Sequence, residues 1–275
     1  MIRNKISKAA IYFVFIIYAL YALYPVIIMI LTSFKSNLDI IKYPLSLPKS
    51  LYLDGYKNAW VKGQFSTYFV NSIIIAFFSL IAIIILSLMA SYGFARYRFK
   101  MSSLLYLYFL AGIMIPIKLG SANLFRMMRS LNLIDRLTSV ILVNIAMSIP
   151  ISILILTSFI KQIPDSLEEA AKIDGCKSSK ILWWIVVPIV RPAIATVTIM
   201  NFLPIWNDFY FPLLFIRKEN LKPIPLGIAQ FFGEYQTDWS IIFAGLTIAS
   251  LPTMAVYLFM SKQFIQGLTA GAIKG

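Results

Sequence analysis

The sequence predicts an all-α, polytopic membrane protein with six transmembrane helices. Of its 275 residues, 60% are hydrophobic and 13% are charged, whereas soluble domains contain about 25% charged residues. The charges are spread so unevenly that several long stretches have none, and a helix needs roughly 20 apolar residues to cross a bilayer. A β-barrel is disfavoured because apolar runs such as residues 73–78 do not alternate with polar residues.

The six predicted spans follow these uncharged stretches in order. The third lies near the lower length limit for a spanning helix, and the fifth contains an acid, Asp208. Pro116 and Pro150 lie within apolar stretches, where a proline removes a backbone hydrogen bond, so kinks or breaks are expected at both. The predicted spans are residues 9–31, 66–90, 102–116, 139–159, 192–214 and 240–261.

The connections between the spans predict the orientation. The apolar run after the N-terminal basic residues is too long for the core of a cleavable signal peptide, so the first span is expected to remain uncleaved. Residues 118–136 form a basic, amphipathic connection that favours a helix lying at the membrane surface. Positively charged residues favour the cytoplasmic side, which predicts cytoplasmic N- and C-termini from Arg3, Lys5, Lys8, Arg96, Arg98 and Lys100.

The residue inventory excludes several kinds of chemistry. The chain has no histidine and one cysteine, Cys176, which leaves no histidine base, no His/Cys metal cluster and no intramolecular disulfide. No phosphate-binding loop of the usual pattern occurs, so another chain must bind any ATP that is used. The net charge of +14 lies mainly in loops between spans, which favours contact with lipid headgroups and not with nucleic acid.

Acidic residues cluster in one short segment. Four of the eleven acids lie between Asp165 and Asp174. Ser166 followed by Glu169 predicts a capping box, and Gly175 predicts a left-handed C-terminal cap, so a short exposed helix is expected. Helical spacing places Leu167, Ala170, Ala171 and Asp174 on one face, which would offer a small-residue surface to another protein.

This segment resembles the EAA motif of the membrane subunits of type I ABC importers, written EAA-x3-G-x9-I-x-L-P. The chain departs from the motif at Val187, which replaces leucine in a mild apolar exchange. Other phrases, including Trp206-Asn207-Asp208-Phe209 and residues 264–275, resemble the carbohydrate-importing branch and its MalG-type permeases. The matching motif residues are Glu169, Ala170, Ala171, Gly175, Ile185 and Pro188.

The resemblance implies a function and an assembly. It implies a multi-pass permease subunit in the inner (cytoplasmic) membrane of a bacterial-type cell, forming half of the translocation pathway of an ATP-driven oligosaccharide importer. Its implied partners are a second, MalF-type permease, a homodimeric or paired cytoplasmic ABC ATPase, an extracytoplasmic sugar-binding protein and membrane lipids. The chain itself is then no enzyme and holds no cofactor or metal, since the ATPase binds ATP and Mg²⁺.

The resemblance also divides the chain into regions. Residues 1–65 would hold the first helix and an extracytoplasmic segment, and residues 66–261 the ABC transmembrane type-1 core with its coupling loop at 161–191. Residues 262–275 would form a cytoplasmic tail. The residues implied to couple the chain to the ATPase are Glu168, Glu169, Ala170, Ala171, Asp174, Gly175, Ile185 and Pro188.

The sequence allows two interpretations for each of two further groups of residues. In the family the C-terminal tail reaches the ATPase, although a terminus of this kind often frays. Polar and aromatic residues of the fifth span could line the substrate path, although they could equally pack helices or lie at the membrane interface. The tail group is Gly267, Leu268, Thr269, Gly271 and Lys274, and the candidate substrate-path group is Asn201, Trp206, Asn207, Asp208 and Tyr210.

Two other classes of function remain as alternatives. A single-chain ion-coupled carrier or channel predicts charged residues near the membrane midplane and transport without ATP. An intramembrane enzyme would need a histidine or paired carboxylates within the spans. Neither residue pattern occurs in the sequence, so the sequence favours the permease.

Overall fold

The computed structural model describes residues 2–61, 63–232 and 237–272, and every regular element in these ranges is a helix. Short 3-10 turns follow α5 and precede α6, and a π-helix, Leu182–Val186, joins α9 to α10. The helices, in chain order, are α1 (Ile2–Thr32), α2 (Asn37–Lys42), α3 (Asp54–Val61), α4 (Phe65–Arg96), α5 (Ser102–Ala111), α6 (Ser121–Ser130), α7 (Leu137–Ile160), α8 (Asp165–Ile173), α9 (Ser178–Ile181), α10 (Val187–Ile189), α11 (Arg191–Trp206), α12 (Tyr210–Phe215), α13 (Ile224–Ile228) and α14 (Trp239–Ala272).

Four of the described helices are long and apolar enough to cross a membrane. They are α1 from Ile11, α4, α7 and α14 as far as Lys262. Two more segments meet the same length and composition test only as bent pairs. The first pair bends by 79° between Met114 and Ile117, and the second by 78° between Ile189 and Arg191. By length and composition, the described chain therefore has four helices that could cross a membrane, or up to six if each bent pair is one span.

The predicted third and fifth spans were wrong as continuous helices. Helix α5 ends at Ala111 and covers only about 15 Å, and the break predicted at Pro116 is confirmed by the extended residues between Met114 and Ile117. In the fifth span, α11 ends at Trp206 and Asp208 lies in the gap before α12. Pro150, by contrast, lies inside an unbroken α7.

The chain forms two compact units, of which the first comprises Met1–Ser66 and Gly227–Leu251. In this unit the extracytoplasmic segment predicted from the sequence folds into α2 and α3. Phe65 is fully buried, and a Cβ on Gly245 would lie 2.2 Å from its ring, so only glycine allows this approach. The Lys35 side chain is buried too, and its ammonium donates to the carbonyls of Tyr43 and Pro44, both at 3.0 Å.

The second unit comprises Thr67–Leu226 and Pro252–Gly275, and its core surrounds α7. Helix α7 packs against α5, α11 and α12. The amphipathic helix predicted between the third and fourth spans is present as α6. The fully or almost fully buried apolar residues of α7 are Val140, Val143, Ile153, Leu156 and Ile160.

Helix α4 is hydrogen-bonded near its beginning to the loop of residues 219–224. The Asn71 amide donates to the carbonyls of Asn220 and Lys222, both at 3.0 Å. The Ser72 hydroxyl accepts from the Ile224 amide at 2.9 Å, and the Tyr68 hydroxyl donates to Glu219. The beginning of α4 and this loop are therefore joined by specific polar contacts.

Candidate functional site

The acidic segment folds into α8, and both ends of this helix follow from the sequence around them. Helix α8 begins at Asp165, directly after Pro164, and has acids in its first turn and Lys172 in its last, which complements the helix dipole. The predicted capping box was wrong, because Pro164 takes the N-cap position and no side chain in the described part of the chain caps the helix. Ser166 consequently lies inside the first turn.

The predicted C-terminal cap is confirmed. Gly175 has φ +77°, a conformation that disfavours any residue with a Cβ. The Cys176 amide donates to the Ala171 carbonyl at 2.9 Å, and the Gly175 amide to the Lys172 carbonyl at 3.0 Å. This pair of bonds is the Schellman motif, which satisfies carbonyls left open at the helix end.

One face of α8 points into the protein and carries a buried acid. The side chain of Glu168 is held by Arg96 and Tyr92 of α4: the Arg96 Nε donates to Glu168 at 2.5 Å and the Tyr92 hydroxyl at 2.9 Å. Arg96 also donates to the Asp165 carboxylate and to the Ile163 carbonyl, both at 2.8 Å. Glu168 is only 3% exposed, so it contacts its own chain.

The opposite face of α8 is open. Glu169 and Ala170 are exposed, and Ile173 is 87% exposed, which is unusual for a large aliphatic side chain. The predicted small-residue face was wrong in one member, because Ala171 is buried beside Glu168 while Leu167, Ala170 and Asp174 are exposed. The open surface therefore combines an acid, a small residue and an apolar side chain.

The chain after α8 turns sharply. The Tyr97 hydroxyl bonds to that of Ser178 at 2.8 Å, and the helix continues through α9 into the π-helix. Pro188 follows the π-helix and has no N–H to donate to the preceding turn. Ile185 is partly exposed and Pro188 is exposed. The 78° bend just after Pro188 means that the segment is no straight extension of α11.

Three of the candidate substrate-path residues line one cavity, and two do not. A cavity of about 520 Å³ is lined by Asn207, Asp208 and Tyr210, with Lys118 and Asn144. One Asp208 oxygen accepts from the backbone of Tyr210 and Phe211 and caps α12, and its other oxygen has no hydrogen-bond partner among the described residues. This places Asp208 at a helix break and not within a span.

The other two candidate substrate-path residues are buried in helix packing. Asn201 donates to the Ser152 hydroxyl at 3.0 Å and to the Val197 carbonyl at 2.7 Å. The Trp206 ring stacks on Phe202 with ring centroids 5.6 Å apart. Their positions suit the packing interpretation that the sequence left open.

The predicted tail residues have only partial structural description. The backbone of Gly267, Leu268, Thr269 and Gly271 continues α14, which runs to Ala272. Lys274 lies outside the described residues. The last helix is thus longer than the predicted span of residues 240–261.

The Arg96 contact is the functional feature that the sequence analysis missed. Arg96 served there only as a sign of orientation, although its guanidinium bonds to two acids of the cluster, Asp165 and Glu168. The excess of acids in the single loop of residues 161–191, together with the basic loop of residues 96–100, is the one signal that could have suggested such a pair. Which acids Arg96 contacts depends on packing between segments about 70 residues apart in the chain. Such packing produces no local pattern in the sequence.

Comparison with known proteins identifies relatives along most of the chain. Residues 83–270 match the family described as "Binding-protein-dependent transport system inner membrane component". The "Probable ABC transporter permease protein YurM" of Bacillus subtilis (strain 168) is 35% identical, over 91% of this chain and 83% of that protein. The "Melibiose/raffinose/stachyose import permease protein MelC" of the same organism is 30% identical, over 91% of each.

A solved structure supports the same fold. A chain of a bacterial ABC transporter involved in import of the acidic polysaccharide alginate matches with a TM-score of 0.67 and 18% identity. The match covers 96% of this chain and 97% of that chain. At this identity the likeness shows the fold, and it confirms the predicted importer-permease architecture.

Proposed function

We propose that this chain, which belongs to the family of binding-protein-dependent transport system inner membrane components and is an ABC transporter permease, carries oligosaccharides as half of the translocation pathway of an ATP-driven importer. Two relatives support this substrate class. One is named as an import permease for melibiose, raffinose and stachyose, and another, at 34% identity, is named as a permease for starch degradation products.

The observation that carries the coupling part of the proposal is the open face of α8. Glu169 and Ala170 are exposed beside Ile173, whose apolar side chain is 87% exposed. Removing a large apolar side chain from water is favourable, and on a short exposed helix this requires another surface to cover it. We infer that a cytoplasmic ATPase covers it, with Glu169 as the principal polar contact and Gly175 fixing the end of the docking helix.

The ATPase supplies the energy in this proposal, and the permease supplies the path. ATP and Mg²⁺ would be bound by the ATPase, because the chain has no phosphate-binding loop. Closure of the ATPase would move α8 and switch the spans between inward- and outward-facing states by rigid-body rotation. The C-terminal tail, including Lys274, would be a second contact with the ATPase.

The cavity beside Asp208 is the candidate substrate contact of this chain. It is lined by hydrogen-bonding groups of Asn144, Asn207 and Tyr210 and by the ring of Phe209. Sugars are commonly held by aromatic rings and hydrogen bonds of this kind. The remainder of the path would come from a second, MalF-type permease, with an extracytoplasmic sugar-binding protein delivering the substrate at the bacterial inner membrane.

Co-purification and vesicle uptake test the proposed function together. The tagged chain, expressed with the genes for its permease and ATPase partners, should elute with both, and the complex in proteoliposomes should take up oligosaccharide only with ATP and the binding protein. Uptake by the chain alone, driven by an ion gradient, would contradict the proposal and support the single-chain carrier.

A further inference from the structure

Arg96 connects α8 to the last turn of α4 through three separate hydrogen bonds. Its guanidinium donates to Glu168, Asp165 and the Ile163 carbonyl, at 2.5, 2.8 and 2.8 Å. Two acceptors are side chains of α8, and the third is backbone just before it. We call Arg96, Tyr92 and Glu168, with Asp165, the Arg96 cluster.

The ion pair between Arg96 and Glu168 is the buried one in this cluster, and it contributes most to the connection between α4 and α8. The Glu168 side chain is 4% exposed and that of Arg96 is 11% exposed, whereas that of Asp165 is 77% exposed. A solvated ion pair contributes little. Removal of one partner from a buried pair leaves an uncompensated charge, which is strongly destabilising. Tyr92 satisfies the second oxygen of Glu168.

Helix α4 is attached at its other end as well. Tyr68, Asn71 and Ser72 bond to the loop of residues 219–224. The 29 residues from Tyr68 to Arg96 span about 42 Å of unbroken helix. One rigid element therefore joins α8 to a loop at the far end of the spans.

We propose that Arg96 is a positioning residue for transport, which makes α4 move together with α8 through Glu168. This inference rests on the proposed function, since it assumes that the ATPase displaces α8. Displacement of α8 then reaches the loop of residues 219–224 along α4. Glu168, which the sequence placed among the ATPase contacts, instead acts within the chain.

Three variants separate the transmission of movement from protein stability. In the complex with its ATPase and partner permease, Arg96→Ala should lower uptake per ATP hydrolysed by about fivefold or more, while the ATPase still co-purifies. The double variant Arg96→Ala/Glu168→Gln removes the unpaired buried carboxylate, so its thermal stability should recover. Its uptake per ATP should stay low, because the connection is still missing. Arg96→Lys keeps a cation near Glu168 and should restore part of the coupling.

Arg98→Ala is the matched control. Arg98 is exposed and has no hydrogen bond or ion pair among the described residues, although it lines the same surface cavity as Arg96. This variant should couple like wild type.

The outcomes distinguish this inference from the proposed function. If the double variant regains wild-type uptake per ATP along with its stability, Arg96 is merely structural and the inference is wrong. If the wild-type chain neither binds an ATPase nor depends on ATP, the proposed function itself fails. Should Arg96→Ala fail to fold, the double variant and Arg96→Lys still decide the question.

Discussion

Gly175 ends α8 in a left-handed conformation, and open space surrounds the position where a side chain would begin. Gly175→Ala should therefore cost about 1 kcal/mol through backbone strain alone. Gly175→Asn should cost less, because asparagine tolerates this region. Thermal unfolding of the purified protein measures both values.

Gly93→Ala is the control for this series. Gly93 lies inside α4 and also has open space where a Cβ would lie, so alanine should be neutral or slightly stabilising there. Equal destabilisation by the two alanine substitutions would show that the strain at Gly175 is not the cause.

Glu169 is exposed on the open face of α8, where a charge reversal would not disturb the fold. Glu169→Lys should abolish most ATP-driven uptake and weaken co-purification of the ATPase, while membrane insertion stays normal. Asp54→Lys is a matched reversal, because Asp54 is an exposed acid in the first turn of α3. Wild-type uptake by Glu169→Lys would refute the docking role of this face.

Single residues also show how far local sequence patterns reach. Gly175 was predictable because a helix end that requires positive φ selects glycine by itself. The N-cap was not, because Pro164 fixes the start of the helix two residues earlier than a capping box at Ser166 would. The inward direction of Glu168 depends on Arg96, which is distant in sequence, so no local pattern could reveal it.

Asp135 joins the connection before α7 to the one after α12. Its carboxylate accepts from the backbone amides of Arg217 and Lys218, at 2.6 and 3.0 Å, and these bonds hold the pKa of Asp135 below its usual range. Because the folded pKa is lowered, the contact contributes fully above the unfolded value of about 3.9. Its contribution is lost as the pH falls through the folded value.

Hydrogen exchange checks this contact. The protection of the Arg217 and Lys218 amides, relative to intrinsic exchange, should decline as the pH is lowered from about 6 to about 3. Asp135→Asn retains an acceptor oxygen and tolerates positive φ, but it does not titrate in this range. The same decline of protection in Asp135→Asn would contradict the assignment.

The elements were predictable where apolar length alone decides them. Four uncharged stretches correspond to continuous helices α1, α4, α7 and α14. The other two are broken, the first at Pro116 and the second near Asp208. The composition of a segment indicates that it belongs in lipid. The path of the chain at a break depends instead on packing against α7, and the sequence of one segment does not encode that packing.

The orientation of the whole molecule gives a labelling prediction. Cys176 is the one cysteine of the chain and is partly exposed, and Lys57 is exposed in α3. An impermeant maleimide should label Lys57→Cys, in a Cys176→Ser background, from outside intact cells. It should label Cys176 only after permeabilisation. Labelling of Cys176 from outside would overturn the proposed topology.

At the scale of the whole molecule, the sequence was sufficient for the class of protein and for its family. Scarcity of charge predicted the membrane fold, and the resemblance of residues 169–188 to the EAA motif implied the importer permease. The bends of 79° and 78° and the attachment of α8 to α4 required the structure. The sequence could not decide which residues line the substrate path. In the structure, only three of the five candidate residues meet at one cavity.

Cross-linking from Ile173 tests the central claim, that the open face of α8 docks on an ATPase, most directly. Ile173→Cys in a Cys176→Ser background places a reactive thiol on the most exposed apolar residue of this helix. After reaction with a photoactivatable maleimide, the assembled complex should yield a covalent product that contains the ATPase, whereas Lys57→Cys should yield none. An active complex in which Ile173→Cys captures no ATPase would contradict the account.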